Sequence, residues 1–267
     1  MASLGSTRPE RAPVWIAIPA ALGAAFFIVP LIGLVVRAPW GDAWRLLTSP
    51  DTLEALRLSL VASVSSTAVA LVLGLPLAWV YARIDFRGKA VLRALTTLPM
   101  VLPPVVGGIA LFLAFGRRGL LGSWLDSTFG VTLPFSTAGV VFAETFVAMP
   151  FLVLTVEAGL RSMDRRYEEA ARALGARRWT VLTRVTLPLI APSLAAGAVL
   201  CWARALGEFG ATITFAGNFP GVTQTMPLAV YLLFETNQKG SFILSLLLLF
   251  VSLAVLVGLR HRWLGSA

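Results

Sequence analysis

Arg204 and Glu208 stand four residues apart, the spacing at which opposite charges meet on one face of a helix. Such a pair can be a self-neutralised lock at a helix end, or part of a gate that opens when the pair parts. The chain beyond it is rich in glycine and hydroxyl groups. Thr212, Thr214, Thr223 and Thr225, with the surrounding glycine backbone, offer the O–H and N–H donors that hold an anion. A second group is Pro103, Pro104, Gly107 and Gly108, with Pro99 just before it. Prolines at this density bend or unwind a helix, leaving either a packing kink or a hinge beside a path. Glu144 is an isolated carboxylate in an apolar stretch. Its cost at a bilayer centre is about 2.5–3.5 kcal/mol on insertion scales, so it must face protein or water and is a candidate proton relay. Glu157 lies near the end of the same stretch, close enough to reach water by extending its side chain.

Bond-making chemistry is harder to find. Gly88-Lys89 lacks the earlier glycine and the following hydroxyl of a phosphate loop, so this chain by itself should not hydrolyse ATP. His261 is the sole histidine and sits in a basic tail, too little for a metal site. Cys201 is the sole cysteine, which excludes an internal disulfide. An embedded enzyme would need a constellation of acids, bases or nucleophiles that this sequence does not offer, whereas a transporter needs a path and a gate.

The elements that must position these residues follow from composition. Of 267 residues, 57% are hydrophobic and 13% are charged; mean hydropathy is +0.83. A soluble domain carries roughly 25% charged residues, so this chain cannot coat a water-facing surface and belongs in a bilayer. A crossing needs roughly 20 apolar residues. Six stretches qualify: Val14–Val36, Leu58–Ala82, Ala94–Phe115, Ala138–Leu160, Val185–Ala203 and Ser241–Leu259. The first is too long for the core of a signal peptide and reads as a retained anchor. The expected architecture is all-α, a single polytopic domain of six transmembrane helices.

Loop charges orient the spans. With the N-terminus inside, fifteen Lys and Arg residues fall on the inner side and seven on the outer. Positive residues favour the cytoplasmic side, which puts both termini there. The net charge of +9 is thereby explained without nucleic acid. Trp40, Trp44 and Trp124 then fall at the outer interface, where amphipathic rings settle.

The longest inner loop, residues 161–184, carries seven of those charges. Asp164 suits a helix N-cap, and Glu168 and Glu169 sit in the first turn, where the macrodipole favours them. Tyr167, Ala171 and Leu174 follow at i, i+4 and i+7, one apolar stripe. Gly175 then suits the left-handed position that ends a helix. A helix of about ten residues is marginal alone and must dock on its own bundle, on another protein or on headgroups.

The spacing in this loop resembles a known family. Glu169-Ala170-Ala171, three residues, Gly175, nine residues, Val185, one residue and Leu187-Pro188 is similar to the E-A-A-x3-G-x9-I-x-L-P loop of ABC importer permeases, with Val185 in place of the usual Ile. The segment Arg204-Ala-Leu-Gly-Glu-Phe-Gly-Ala-Thr212, with Gly217-Asn218 and Thr223-Gln-Thr-Met-Pro-Leu-Ala-Val-Tyr231, resembles the permeases of molybdate importers. Sulfate permeases share its first part and usually lack the last. Leu102 to Gly108 also looks like the family, and the likeness runs from about Leu58 to Leu259.

This resemblance implies a type I importer fold and a division of labour. The helix around Tyr167–Leu174 would be a coupling helix seated in a groove of a separate ATP-binding subunit, present in two copies. The partner uses ATP and Mg; this chain binds no cofactor. A second copy of the chain would complete the translocation path, and an extracytoplasmic binding protein would select molybdate or tungstate. Membrane-depth Lys or Arg other than Arg204 is absent, which fits a path that passes an oxyanion without holding it tightly. The alternatives are a sulfate or thiosulfate permease, or an ion-coupled secondary transporter using Glu144.

Overall fold

The structure is a computed structural model, and it describes residues 13–263. Arg8 and Arg11 lie outside these, as do the side chains of Arg260, His261 and Arg262. The described residues form helices joined by turns, in the order α1 (Val14–Arg37), α2 (Ala43–Leu47), α3 (Pro50–Arg83), α4 (Lys89–Thr97), α5 (Pro104–Phe115), α6 (Gly122–Phe129), α7 (Thr137–Ser162), α8 (Arg166–Ala173), α9 (Arg178–Val181), α10 (Leu187–Leu206), α11 (Gly210–Phe215), α12 (Met226–Thr236) and α13 (Gln238–Trp263). Five helical segments are long and apolar enough to cross a membrane, and a sixth crossing arises if the bent pair α4 and α5 counts as one.

The core is the α3–α7–α10 layer. Ala70, Ala78 and Tyr81 of α3 meet Ala148, Leu152 and Val156 of α7, and Ile190, Cys201 and Ala205 of α10 close the cluster. Water gives no drive for helix association in lipid, so close backbone approach through small residues carries the packing. A methyl added at Gly74 would lie 3.2 Å from Leu152 and Val153, and one at Gly197 would lie 3.2 Å from Leu152 and Thr155. Buried Ser63 and Ser66 and half-buried Thr67 return their hydroxyl protons to carbonyls of their own helix, the solution available where water is absent.

Side-chain contacts fix the register. α3 and α7 run parallel: Thr145 Oγ1 lies 3.4 Å from Ser66 O, and Arg161 Nη2 donates to Tyr81 O at 3.1 Å. α10 runs antiparallel to α7, with Ser193 beside Gly159 and Gly197 beside Leu152 and Thr155. The C-terminal ends of α3 and α7 and the start of α10 therefore share one end of the bundle.

Several elements differ from the hydropathy reading. The stretch Ala94–Phe115 is not one helix: α4 with its following turn meets α5 at 118°. Pro103 excludes the helical conformation for Leu102, and Pro103 and Pro104 offer no N–H to carry the ladder across. α5 restarts with proline in its first turn, where the missing donor costs nothing. α3 begins at Pro50 rather than Leu58, because Ser49 caps it by accepting from Thr52 N. Backbone capping, rather than hydrophobicity, sets that end. Among the described residues α1 has no buried side chain and lies at the edge of the bundle against α13.

Candidate functional site

The loop at the basic end folds as its sequence suggests, within a turn. Asp164 Oδ1 accepts from Arg166 N at 2.9 Å, and α8 spans eight residues rather than about ten. Gly175 has φ +84°, the left-handed conformation. Its N–H donates to Arg172 O at 2.9 Å and that of Ala176 to Ala171 O at 3.0 Å, which ends the helix. Glu169 and Ala170 are exposed and Ala171 is half-buried. Tyr167 is 59% exposed and Leu174 90%, so of the stripe expected to dock only Ala171 is half-buried and most of it faces outward. Leu187 packs at the edge of the core, and exposed Pro188 lies in the first turn of α10.

Glu168 does the opposite of its neighbour Glu169. It is buried, with Oε1 accepting from Thr186 Oγ1 at 2.7 Å and from Arg83 Nη2 at 3.3 Å. Arg172 Nη2 lies 3.9 Å from Oε2. The loop is thus tied to the last residue of α3 and to the residue just before α10. Five residues, Leu182–Thr186, form a π-turn that leads into α10. Sequence spacing reveals the i, i+4 partner Arg172, but nothing local points to Arg83, 85 residues away.

Glu157 does not reach out to water. It is 1% exposed and held by Arg161 Nη2 at 2.8 Å and Arg93 Nε at 3.1 Å. Tyr81 and Thr96 hydroxyls lie 2.7 Å apart nearby, so α4 is fastened to α3 and α7 by two polar links. The Arg161 spacing was legible; Arg93 arrives through the fold.

The other candidates gather beyond the core, away from α8. Arg204 Nη2 lies 2.6 Å from Glu208 Oε2, with Glu208 buried and Arg204 partly exposed. Glu208 Oε1 also accepts from Ala211 N at 2.8 Å and so caps the start of α11. Continuing the α7–α10 register carries Arg204 to about the level of Val147, roughly 15 Å below the start of α7 at 1.5 Å per residue. Glu208 is a charge neighbour of Glu144, which is 1% exposed with Oε2 unpartnered.

α5 and α11 cross without space between them. A methyl at Gly108 would overlap the Thr214 hydroxyl and lie 2.7 Å from Ala211 O, and one at Gly210 would lie 2.7 Å from Pro104 Cβ. Gly107 faces the Phe146 ring. The structure therefore joins Pro104, Gly107 and Gly108 to the segment after Glu208, while Pro103 is exposed at the bend. The four threonines differ. Thr214 Oγ1 donates to Gly210 O at 2.8 Å, and Thr223 Oγ1 accepts from Phe219 N at 2.9 Å. Thr212 and Thr225 are buried with hydroxyls that have no protein partner. Met226 N donates to Ser59 Oγ at 2.7 Å, a tie from α12 to α3 that the sequence did not reveal.

Comparisons with known proteins agree on the kind of molecule. Residues 52–266 match the family model described as "Binding-protein-dependent transport system inner membrane component". The chain is 47% identical to the molybdenum transport system permease protein ModB of Mycobacterium tuberculosis, over 95% of this chain and 96% of that one. It is 42% identical to the ModB of Escherichia coli, over 82% and 96%. The sulfate transport system permease protein CysT of Escherichia coli is 34% identical over 87% and 85%. Among solved structures, a bacterial ABC transporter that imports the acidic polysaccharide alginate superposes with TM-score 0.72 over 95% of this chain and 96% of that one, at 18% identity, a likeness of fold. With a family model spanning most of its length and relatives at this identity, the chain belongs to the family of binding-protein-dependent transport system inner membrane components.

Proposed function

We propose that this chain is the membrane subunit of an ATP-driven importer of molybdate or tungstate. The observation that carries the reading is the pair of molybdenum permeases at 47% and 42% identity, set against 34% for a sulfate permease. The chain passes the oxyanion across the cytoplasmic membrane from an extracytoplasmic binding protein. It holds no ATPase site of its own; two copies of an ATP-binding subunit supply the work. Two copies of this chain enclose the path, and both termini face the cytoplasm.

In this reading Tyr167, Glu169, Ala170, Ala171 and Leu174 form the face of the coupling helix that meets the ATPase. The exposure of Tyr167, Glu169, Ala170 and Leu174 supports it, since apolar Leu174 at 90% exposure gains nothing in water. Gly175 turns the chain back toward Leu187 and Pro188. Nucleotide-driven movement of α8 then reaches α3 and α10, and through them the Arg204–Glu208 pair. Thr212 and Thr225 supply hydroxyl donors that no protein group engages, and Thr214 and Thr223 hold the backbone around them. Gly107, Gly108, Pro103 and Pro104 keep the broken helix pair close to that segment. A sulfate or thiosulfate importer is the second reading, favoured by the sulfate relative.

Uptake of radioactive molybdate by cells lacking their own permease, supplied with this chain and its partner subunits, tests the assignment. Saturable uptake blocked by excess tungstate and unaffected by excess sulfate is expected. Uptake of sulfate in preference to molybdate would replace the first reading by the second.

A further inference from the structure

We propose that Glu168 is a positioning residue that makes α8 and the adjoining ends of α3 and α10 move as one body. The inference rests on the reading of α8 as the ATPase-docking helix and adds the means by which its displacement is passed on.

Eight residues are too few to hold a helix in water without tertiary support. Apolar side chains supply little of that support, since Tyr167 is 59% exposed, Leu174 just past the helix is 90% exposed and Ala171 is only half-buried. What holds α8 is polar. Glu168 is 6% exposed and engages Thr186 Oγ1 at 2.7 Å and Arg83 Nη2 at 3.3 Å. Arg165 Nη2 adds a weaker contact to Ala82 O at 3.4 Å. One carboxylate therefore joins the end of α3, the start of α10 and the coupling segment. Its neighbour Glu169 is exposed, so one of the adjacent acids is buried and the other meets solvent.

Energetics favour joint movement. Drawing α8 away would leave a buried carboxylate and a buried guanidinium without each other, the costly way to break such a pair. Arg83 is as enclosed as Glu168, with side chains 9% and 8% exposed. Displacing α3 and α10 along with α8 keeps the pair intact. Thr186 closes the π-turn, an irregularity frequent at functional sites, so that element lies directly beside the peg.

Hydrogen exchange on the permease alone reads the peg without any ATPase. Glu168→Ala should speed exchange of the α8 amides, and Glu168→Gln, which keeps an acceptor for Thr186, should do so less. In proteoliposomes with both partners, Glu168→Ala should keep the ATPase subunit bound and hydrolysing. Molybdate carried per ATP should fall about fivefold or more, the lower bound of a typical coupling between sites. Should Glu168→Ala fail to accumulate, Thr186→Val carries the same expectation with a smaller loss. Unchanged α8 exchange, or normal molybdate per ATP in the variants, overturns the proposal. Failure of Leu174→Cys to cross-link to the ATPase subunit overturns instead the docking reading on which it rests.

Discussion

At the scale of single residues, the Arg204–Glu208 pair and Gly175 make separable demands. Removing one partner of a buried ion pair costs about 3–5 kcal/mol, and the partly exposed Arg204 puts this pair toward the lower bound. Arg204→Ala should therefore lower the amount of folded protein, because Glu208 remains buried at 1% exposure with a bare charge. Arg204→Met combined with Glu208→Gln should recover much of it, since Gln keeps the Oε1 acceptor that caps Ala211. Equal loss in the single and double variants, read by fluorescence-detected gel filtration, would show that pairing is not what the site supplies. Normal accumulation of Arg204→Ala with ATP hydrolysis poorly coupled to uptake would instead mark the pair as part of a gate. Gly175 is simpler. No atom lies within 4 Å of where its Cβ would be, so any penalty is backbone strain at φ +84°. Left-handed backbone costs an L-residue about 1–2 kcal/mol, and Asn tolerates it better than branched residues. Gly175→Val should cut ATPase retention and uptake while Gly175→Asn keeps most of both; equal activity of the two variants would deny the turn any role.

At the scale of elements, the bent pair α4 and α5 and the crossing of α5 with α11 carry the clearest consequences. Gly108→Ala forces a methyl against Thr214 and Ala211, and overpacking of this kind costs about 1–3 kcal/mol. Gly23 in α1 has open space around it, so Gly23→Ala should leave the melting temperature in detergent unchanged. A similar melting temperature for Gly108→Ala would mean that α5 and α11 separate more readily than their packing suggests. α8 reverses the logic. Leu174→Ala removes an exposed side chain, so the permease should melt as before while its ATPase subunit dissociates more readily. Loss of thermal stability would mean that Leu174 serves its own bundle.

At the scale of the whole molecule, the ends of the bundle differ in charge and in how they are closed. Arg83, Arg93 and Arg161 cluster where α8 lies, tied by Glu157 and Glu168, and Arg165 donates to Ala82 O beside them. The charge asymmetry predicts that this end is cytoplasmic. Thr225 is 1% exposed and would not react whichever side it faces. Val222 is 44% exposed and suits the purpose. In a background lacking Cys201, Val222→Cys should react with an impermeant thiol reagent in intact cells, and Ser162→Cys only after lysis. The reverse pattern would invert the molecule and remove α8 from the ATPase.

Composition alone determined that this chain lives in a bilayer, because 13% charged residues cannot solvate 267. Fixed spacing from Glu169 to Pro188 determined the family, and local chemistry determined the left-handed Gly175, because capping and turn geometry depend on near neighbours. The tertiary structure decided what depends on distant ones. It broke Ala94–Phe115 at Pro103 and Pro104, where apolar content is continuous but hydrogen bonding is not. It set Arg204 at about the level of Val147, since that follows from the register of α10 on α7. It also turned Glu168 inward and left Glu169 outside. Two identical acids side by side carry no local mark of which will meet Arg83, and the choice comes from where α3 ends.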